Sequence, residues 1–167
     1  MWFRMLGLAL LVGFVVGGSP AVPAAAGPPA AQLGTWSWPV SGVHALARPY
    51  VAPADPYGAG HRGIDIRAPV GAEVLAPADG TVHFAGFVVD RPVLSLEHAD
   101  GVLSSFEPVQ TTLVAGDRVS RGQVIGTLLP GHCAATCLHL GVRVGGQYVN
   151  PLLFLGGVGW SVLYPDP

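Results

Sequence analysis

The stretch CLHLGVR, residues 137–143, alternates between two kinds of side chain. Leu138, Leu140 and Val142 recur at every second position, which is the period of a β-strand with one face in the core. His139 falls on the other face of the same strand. The pattern therefore predicts a half-buried strand whose outward face carries a histidine.

Short runs of the same kind fill the chain between residues 36 and 155. Each run is bounded by Gly, Pro or Asp, and no helical periodicity persists over three turns. The predicted strands are 64–67, 73–75, 81–87, 93–97, 102–106, 124–128 and 138–144. The sequence HADG at 98–101 predicts a tight hairpin between two of them. We expect an all-β domain with a mostly antiparallel sheet or a barrel-sandwich hybrid.

A weak internal repeat supports a two-part arrangement of this domain. GAEV at 71–74 followed by GTV at 80–82 resembles GDRV at 116–119 followed by GTL at 126–128. About 120 residues suffice for a single core but not for two. Two similar β-units are therefore expected to pack together within one domain.

The composition excludes several classes of protein. All eight basic residues of the 167-residue chain are arginine, and the chain has no lysine. P-loop enzymes, Schiff-base enzymes and carriers of biotin or lipoate all need a lysine. The net charge of -2 and the absence of a basic run argue against nucleic acid as a partner.

The first residues are typical of an export signal. Arg4 precedes an apolar run at 5–16, and AAA at 24–26 is a small-residue cleavage pattern. We expect a signal peptide over 1–26; an uncleaved anchor helix is the alternative, although the run is shorter than the roughly 20 residues of a membrane span. The mature protein is expected to have no stable membrane insertion. The rest of the chain is predicted to consist of a flexible Pro/Ala/Gly lead-in over 27–35, the domain over 36–155 and a C-terminal tail over 156–167. The role of the tail is open.

His61 and Asp65 lie four residues apart in GHRGIDI, residues 60–66. A nitrogen and an oxygen ligand make half of a zinc site. Taken alone, the pair is more typical of a surface turn than of a zinc site. His139 could supply a third ligand and leave a fourth position for water, as catalytic zinc requires, or it could be a half-exposed strand histidine.

With their surroundings, these segments resemble the lysostaphin-like zinc metallopeptidases, a family of peptidoglycan endopeptidases with a duplicated hybrid-motif β-domain. The resemblance runs from about residue 38 to 155 and rests on the order and spacing of HRGIDI (61–66), PVG (69–71), VLA (74–76), DGTV (79–82), GDRV (116–119) and GQVIG (122–126). It implies zinc as the cofactor. By position, it makes His61, Asp65 and His139 the three zinc ligands.

Two positions depart from the family pattern. Cys137 stands where the family has the first, catalytic histidine of a His-x-His motif, and Pro108 matches a second catalytic histidine. Glu107 is a candidate replacement base, although strand alternation points it away from the face of Pro108. His132 is a candidate replacement imidazole, with an exposed loop histidine as the alternative. We assign no function to His98.

Cys133 and Cys137 are the only cysteines. After export they would meet an oxidising compartment, so we expect them to form a disulfide. The alternative is that Cys137 binds zinc as a fourth ligand, which would close the site and make it structural.

We therefore expect a secreted, cell-wall-associated zinc metalloendopeptidase that hydrolyses peptidoglycan cross-link peptides with zinc-activated water. The alternative is a degenerate zinc-binding relative that binds cell-wall peptides or regulates a partner wall hydrolase. The export signal argues against a third possibility, a cytosolic sugar-transport phosphocarrier of related fold.

Overall fold

The structure is a computed structural model that describes residues 33–55 and 57–156. Within them the chain forms eleven strands and no α-helix, and every strand pairing is antiparallel. The strands are β1 (Leu46–Arg48), β2 (Gly63–Arg67), β3 (Glu73–Leu75), β4 (Gly80–Val88), β5 (Arg91–Glu97), β6 (Leu103–Glu107), β7 (Val109–Gln110), β8 (Arg118–Val119), β9 (Val124–Leu128), β10 (Cys137–Val144) and β11 (Gln147–Val149). The predicted all-β, mostly antiparallel fold is confirmed.

The strands form two sheets. The larger sheet has the order β1-β2-β10-β6-β5-β4-β8, with β11 paired to β10, and the smaller has the order β3-β9-β7. The seven predicted strands correspond to β2, β3, β4, β5, β6, β9 and β10. The four that the sequence analysis did not predict are two or three residues long, too short for an alternating pattern to be seen.

One hydrophobic cluster joins both sheets. Ile64 and Ile66 of β2 and Leu138 and Leu140 of β10 are fully buried in it, as is Phe106 of β6. Full burial of such a side chain contributes about 1.5–3 kcal/mol. Because alternate residues of β2, β10 and β6 are fixed in this core, the residues between them must face the other side of the sheet.

The two halves of the internal repeat interlock. β3 from the first half pairs with β9 from the second, and β4 from the first pairs with β8 from the second. Each half therefore completes its hydrogen bonding with strands of the other.

The predicted hairpin joins β5 to β6. Its turn is a short 3-10 segment, Ala99–Gly101, closed by a hydrogen bond of 2.8 Å from the His98 amide to the Val102 carbonyl. Gly101 has φ +69°, which glycine adopts without steric cost. The Asp-Gly pair thus sits in a three-residue turn.

The ends of the described chain meet. The Gly34 amide donates to the Leu153 carbonyl at 2.9 Å, and Trp36 forms a bridge with Leu155. Contacts of the domain thus begin inside the predicted lead-in. Three predicted parts of the chain lie outside the described residues: the signal peptide, residues 27–32 of the lead-in, and the tail beyond Gly156. Among the residues described, no helix is long and apolar enough to cross a membrane.

Candidate metal centre

The register of the larger sheet places three polar residues in one row. His139 of β10 pairs with Asp65 of β2 on one side and with Glu107 of β6 on the other. Directly opposite residues of antiparallel strands project to the same face, with Cβ atoms about 4.5–5.5 Å apart. Because the neighbouring residues of each strand are buried in the core, these three side chains lie together on the opposite face of the sheet.

His61 joins this row from the segment before β2, where it forms an isolated bridge with Val51. Its Nε2 atom lies 3.1 Å from Asp65 Oδ1 and 3.2 Å from His139 Nδ1. His139 Nδ1 in turn lies 2.7 Å from the same Asp65 oxygen. The structure thus brings together all three residues that the sequence predicts as metal ligands; their ligand role stays a prediction.

His132 also reaches the cluster, from the loop before β10. Its Nε2 atom lies 3.0 Å from Asp65 Oδ1, and its side chain is 14% exposed, so it is not a free surface histidine. The next residue, Cys133, forms a disulfide with Cys137, and their Cα atoms are 5.8 Å apart. The bridge ties the loop to the first residue of β10.

Glu107 faces the cluster, contrary to the expectation from alternation about Pro108. β6 ends at Glu107, directly opposite His139, while Pro108 follows the strand and is buried. Glu107 Oε1 lies 3.5 Å from His132 Nδ1. Arg91, which the sequence analysis did not single out, places Nη1 3.1 Å from that nitrogen and 3.9 Å from Glu107 Oε1.

The two departures from the family pattern remove proton-transfer groups from this structure. Cys137 is buried and bonded to Cys133, and the cyclic side chain of Pro108 has no titratable group. The bridge leaves no thiolate at Cys137. The alternative in which Cys137 closes the metal site is therefore not the arrangement found here.

The donor atoms fit a metal ion. His61 Nδ1 lies 2.7 Å from the Pro49 carbonyl oxygen, an acceptor only, so Nδ1 carries a hydrogen and Nε2 is the nitrogen available to a metal ion. Nε2 faces the Asp65 oxygen at 3.1 Å, so either a proton on Nε2 or a metal ion bound by both atoms satisfies the pair. Zinc bonds of about 2.0–2.1 Å place tetrahedral ligand atoms about 3.3 Å apart. The donor atoms of His61, Asp65, His132 and His139 all lie within 4.8 Å of one another.

The charge state of Asp65 suits this role. Burial alone would raise the pKa of the Asp65 carboxyl, but hydrogen bonds and charge interactions with His132 and His139 outweigh burial and hold that pKa well below its usual range. The group is an anionic carboxylate at neutral pH, as a metal ligand must be.

Space for His139 is made by a glycine. A Cβ atom at Gly63 would lie 2.5 Å from His139 Nε2 and would also contact the Leu140 carbonyl oxygen. Only a residue without a Cβ leaves the imidazole where it is. The small size of Gly63 is therefore what the site requires.

A groove of about 520 Å³ opens beside the cluster. His139 and Glu107 line it at the metal end, and Arg62, Arg143 and Tyr148 line it elsewhere. The Arg143 guanidinium lies 5.5 Å from the centre of the Tyr148 ring, a cation–π distance. The groove can thus offer positive charge to a bound carboxylate.

Comparison with known proteins is consistent with this geometry. A family model described as Peptidase family M23 matches residues 59–151, which is more than half of the chain. The matched span contains His61, Asp65, Glu107, His132 and His139.

Two relatives show how much of a longer protein the chain resembles. An uncharacterized protein of Mycobacterium tuberculosis strain H37Rv is 41% identical over 122 residues, covering 69% of this chain and 49% of that protein. The murein hydrolase activator NlpD of Escherichia coli K12 is 33% identical over 129 residues, covering 74% of this chain and 32% of NlpD. The chain thus spans about half or less of the length of these curated relatives.

The fold has solved counterparts. The catalytic domain of the antimicrobial peptidase lysostaphin from Staphylococcus simulans superposes with a TM-score of 0.58 at 23% identity, covering 65% of this chain and 90% of that domain. At this identity the likeness shows the fold alone.

Proposed function

The chain belongs to peptidase family M23, and from this premise we propose that it is a zinc-binding protein of the bacterial cell wall that works outside the cytoplasm. Zinc binds at His61, Asp65 and His139. The groove holds peptides of peptidoglycan, and the protein regulates a separate wall hydrolase rather than cutting the wall itself.

A single observation carries this proposal. The three predicted ligand positions hold His61, Asp65 and His139, whereas Pro108 and Cys137 occupy the positions where the family has catalytic histidines. Positioned acid–base groups are worth roughly 10²–10⁴ in rate. A buried proline and a disulfide-bonded cysteine supply neither a base nor an acid.

The relatives support the regulatory role. NlpD is named a murein hydrolase activator, and its 33% identity to this chain covers 74% of the chain. The expected export signal over residues 1–26 would deliver the protein to the same side of the membrane as peptidoglycan.

The groove supports the binding role. Stem peptides of peptidoglycan carry free carboxylates, and Arg62 and Arg143 both line the groove beside the metal cluster. Guanidinium groups bind carboxylates in a bidentate geometry. The exposed Tyr148 ring under Arg143 adds an apolar surface for the peptide chain.

The test uses purified protein, purified cell walls and wall hydrolases extracted from the same organism. We expect the protein to sediment with the walls, to release no new amino groups by itself and to speed wall release by the hydrolases. The double variant Arg62→Gln, Arg143→Gln should bind the walls at least several-fold more weakly. Release of new amino groups by the zinc-loaded protein alone, lost in His139→Ala, would overturn the regulatory proposal.

A second candidate function, hydrolysis of cross-link peptides, is favoured by the position of Glu107. The carboxylate lies on the metal face and lines the groove, where it could take a proton from an attacking water and pass it to the leaving amine. Bound zinc would supply Lewis-acid activation of that water. Under this hypothesis Glu107→Gln abolishes amino-group release while zinc stays bound, whereas the control His44→Gln, exposed and outside the groove, leaves release unchanged.

A further inference from the structure

His132 stands in the same relation to Asp65 as the predicted ligand His61 does. The Nε2 atoms of the two histidines lie 3.0 and 3.1 Å from the same Asp65 oxygen. The ring of His132 also lies 4.7 Å from the His139 ring, at an angle of 45°. Three imidazole nitrogens thus surround one carboxylate oxygen, more than its lone pairs accommodate as hydrogen bonds alone.

The far side of the His132 ring has the partner that a metal-bound histidine needs. Ligating histidines donate their other ring N–H to a carboxylate or carbonyl, which leaves the first nitrogen free to bind the metal. For His61 that partner is the Pro49 carbonyl. For His132 the carboxylate within reach is Glu107, whose Oε1 lies 3.5 Å from Nδ1, an ion-pair distance that shortens to a hydrogen bond when Nδ1 donates.

Arg91 competes for the same nitrogen. Its Nη1 atom lies 3.1 Å from His132 Nδ1, and a guanidinium can only donate. If Arg91 donates there, the hydrogen moves to Nε2 and His132 cannot bind a metal. If Nδ1–H donates to Glu107, Arg91 is left to pair with Glu107, from which it lies 3.9 Å.

The loop itself is held in place at both ends. The Leu129 amide donates to the Pro108 carbonyl at 3.0 Å before His132, and the disulfide from Cys133 to Cys137 follows directly after it. These two contacts already hold His132 near Asp65, so metal binding would not have to order the loop.

We propose that His132 is a fourth zinc ligand, so that the site is a closed set of three histidines and one aspartate with Glu107 as the group that orients His132. This inference rests on zinc being the bound metal, as in the proposed function. Four protein ligands fill a tetrahedral ion and leave no position for water, which is the pattern of a structural zinc site. Closure then adds a second reason why the protein would not hydrolyse peptides.

Zinc affinity and the absorption spectrum of the cobalt-substituted protein test this directly. Loss of a group that only orients a ligand weakens metal binding about 10–100-fold, so His132→Ala should exceed that range. The wild-type cobalt spectrum should not change between pH 6 and 9, whereas the spectrum of His132→Ala should become pH-dependent, because water enters the fourth position and titrates at about pH 7.

The orienting role of Glu107 is tested separately. Glu107→Ala should weaken zinc binding about 10–100-fold, and Glu107→Gln, which keeps an acceptor oxygen, should restore most of it. His83→Ala removes an exposed histidine outside the cluster and should change neither the affinity nor the spectrum.

The outcomes separate this inference from the proposed function. If His132→Ala binds zinc within about 10-fold of wild type and the cobalt spectra of both proteins change with pH in the same way, His132 is not a ligand. That result would leave wall binding and hydrolase activation untouched. Conversely, failure to bind walls would overturn the regulatory proposal without affecting the ligand set.

Discussion

In the part of the chain that the structure describes, the surroundings of His98 and the metal cluster differ in how their hydrogen bonds are completed. His98 Nδ1 lies 2.8 Å from the Asp79 carbonyl and its Nε2 lies 2.7 Å from the Ser104 hydroxyl, so one nitrogen donates and the other accepts. In the metal cluster, by contrast, His61 Nε2 faces a carboxylate oxygen of Asp65 that His132 and His139 also contact.

Burial alone therefore does not identify a functional histidine. Desolvation by burial lowers the pKa of His98, which keeps the ring neutral and fully hydrogen-bonded without any added group. In the metal cluster, by contrast, three histidines share one anionic oxygen of Asp65, an arrangement that favours a cation at its centre. The chemistry of the partners therefore separates a structural histidine from a ligand.

The largest effect should come from removing one predicted ligand. His139→Ala should lower zinc affinity more than about 100-fold, beyond the loss expected for an orienting group. Zinc content by mass spectrometry and dissociation constants by chelator competition measure it. His98→Gln should keep full zinc content; if it loses zinc as His139→Ala does, the distinction between the two groups fails.

A smaller effect is expected from Gly63→Ala, which pushes a Cβ atom against His139. Overpacking costs about 1–3 kcal/mol, and the displaced imidazole should weaken zinc binding about 10-fold or more. Gly126→Ala is the matched control, because its Cβ would lie 2.5 Å from Val109 Cγ1 in the smaller sheet. We expect denaturant unfolding to show similar destabilisation in both variants, with zinc affinity reduced only in Gly63→Ala.

Removing the disulfide should have a moderate effect on stability. The double variant Cys133→Ser, Cys137→Ser opens a short loop, which costs about 2 kcal/mol in the chain-entropy model. Zinc affinity should fall as well, but less than in His132→Ala, because the untethered loop still carries the histidine. Equal affinity in the bridged and unbridged proteins would show that the tether does not position His132.

The smallest effect concerns His98 and pH. Its pKa in the folded protein is lowered from the ordinary value of 6.5, so the folded state resists protonation more than the unfolded state does. Its contribution to stability is complete above pH 6.5 and declines as the pH falls below that value. Between pH 7 and 5, the unfolding free energy of the wild-type protein should therefore fall more steeply than that of His98→Gln.

The sequence was sufficient to predict the strands and faces that depend on local alternation. The alternation of Leu138, Leu140 and Val142 predicted both β10 and the outward face of His139. The Asp-Gly pair predicted the β5–β6 hairpin. The spacing of His61 and Asp65, together with the family resemblance, predicted that both residues lie beside His139, and the structure places them there.

Features that depend on strand register or on loop geometry were not accessible in this way. Glu107 was expected to point away because its face was judged from Pro108, whereas pairing with His139 sets it. The burial of His98 was missed because a polar residue at a hairpin turn is ordinarily exposed. His132 could be named as a candidate, but only the folded loop shows its distance from Asp65.

The interlocked repeat has a consequence for how this chain reaches its native state. Since β3 pairs with β9 and β4 with β8, neither half can complete a sheet until the other has been made. Folding rates fall as contacts join residues far apart in the chain. We therefore expect slow, all-or-none folding, and a protein cut between β6 and β7 should recover its structure only when both fragments are mixed.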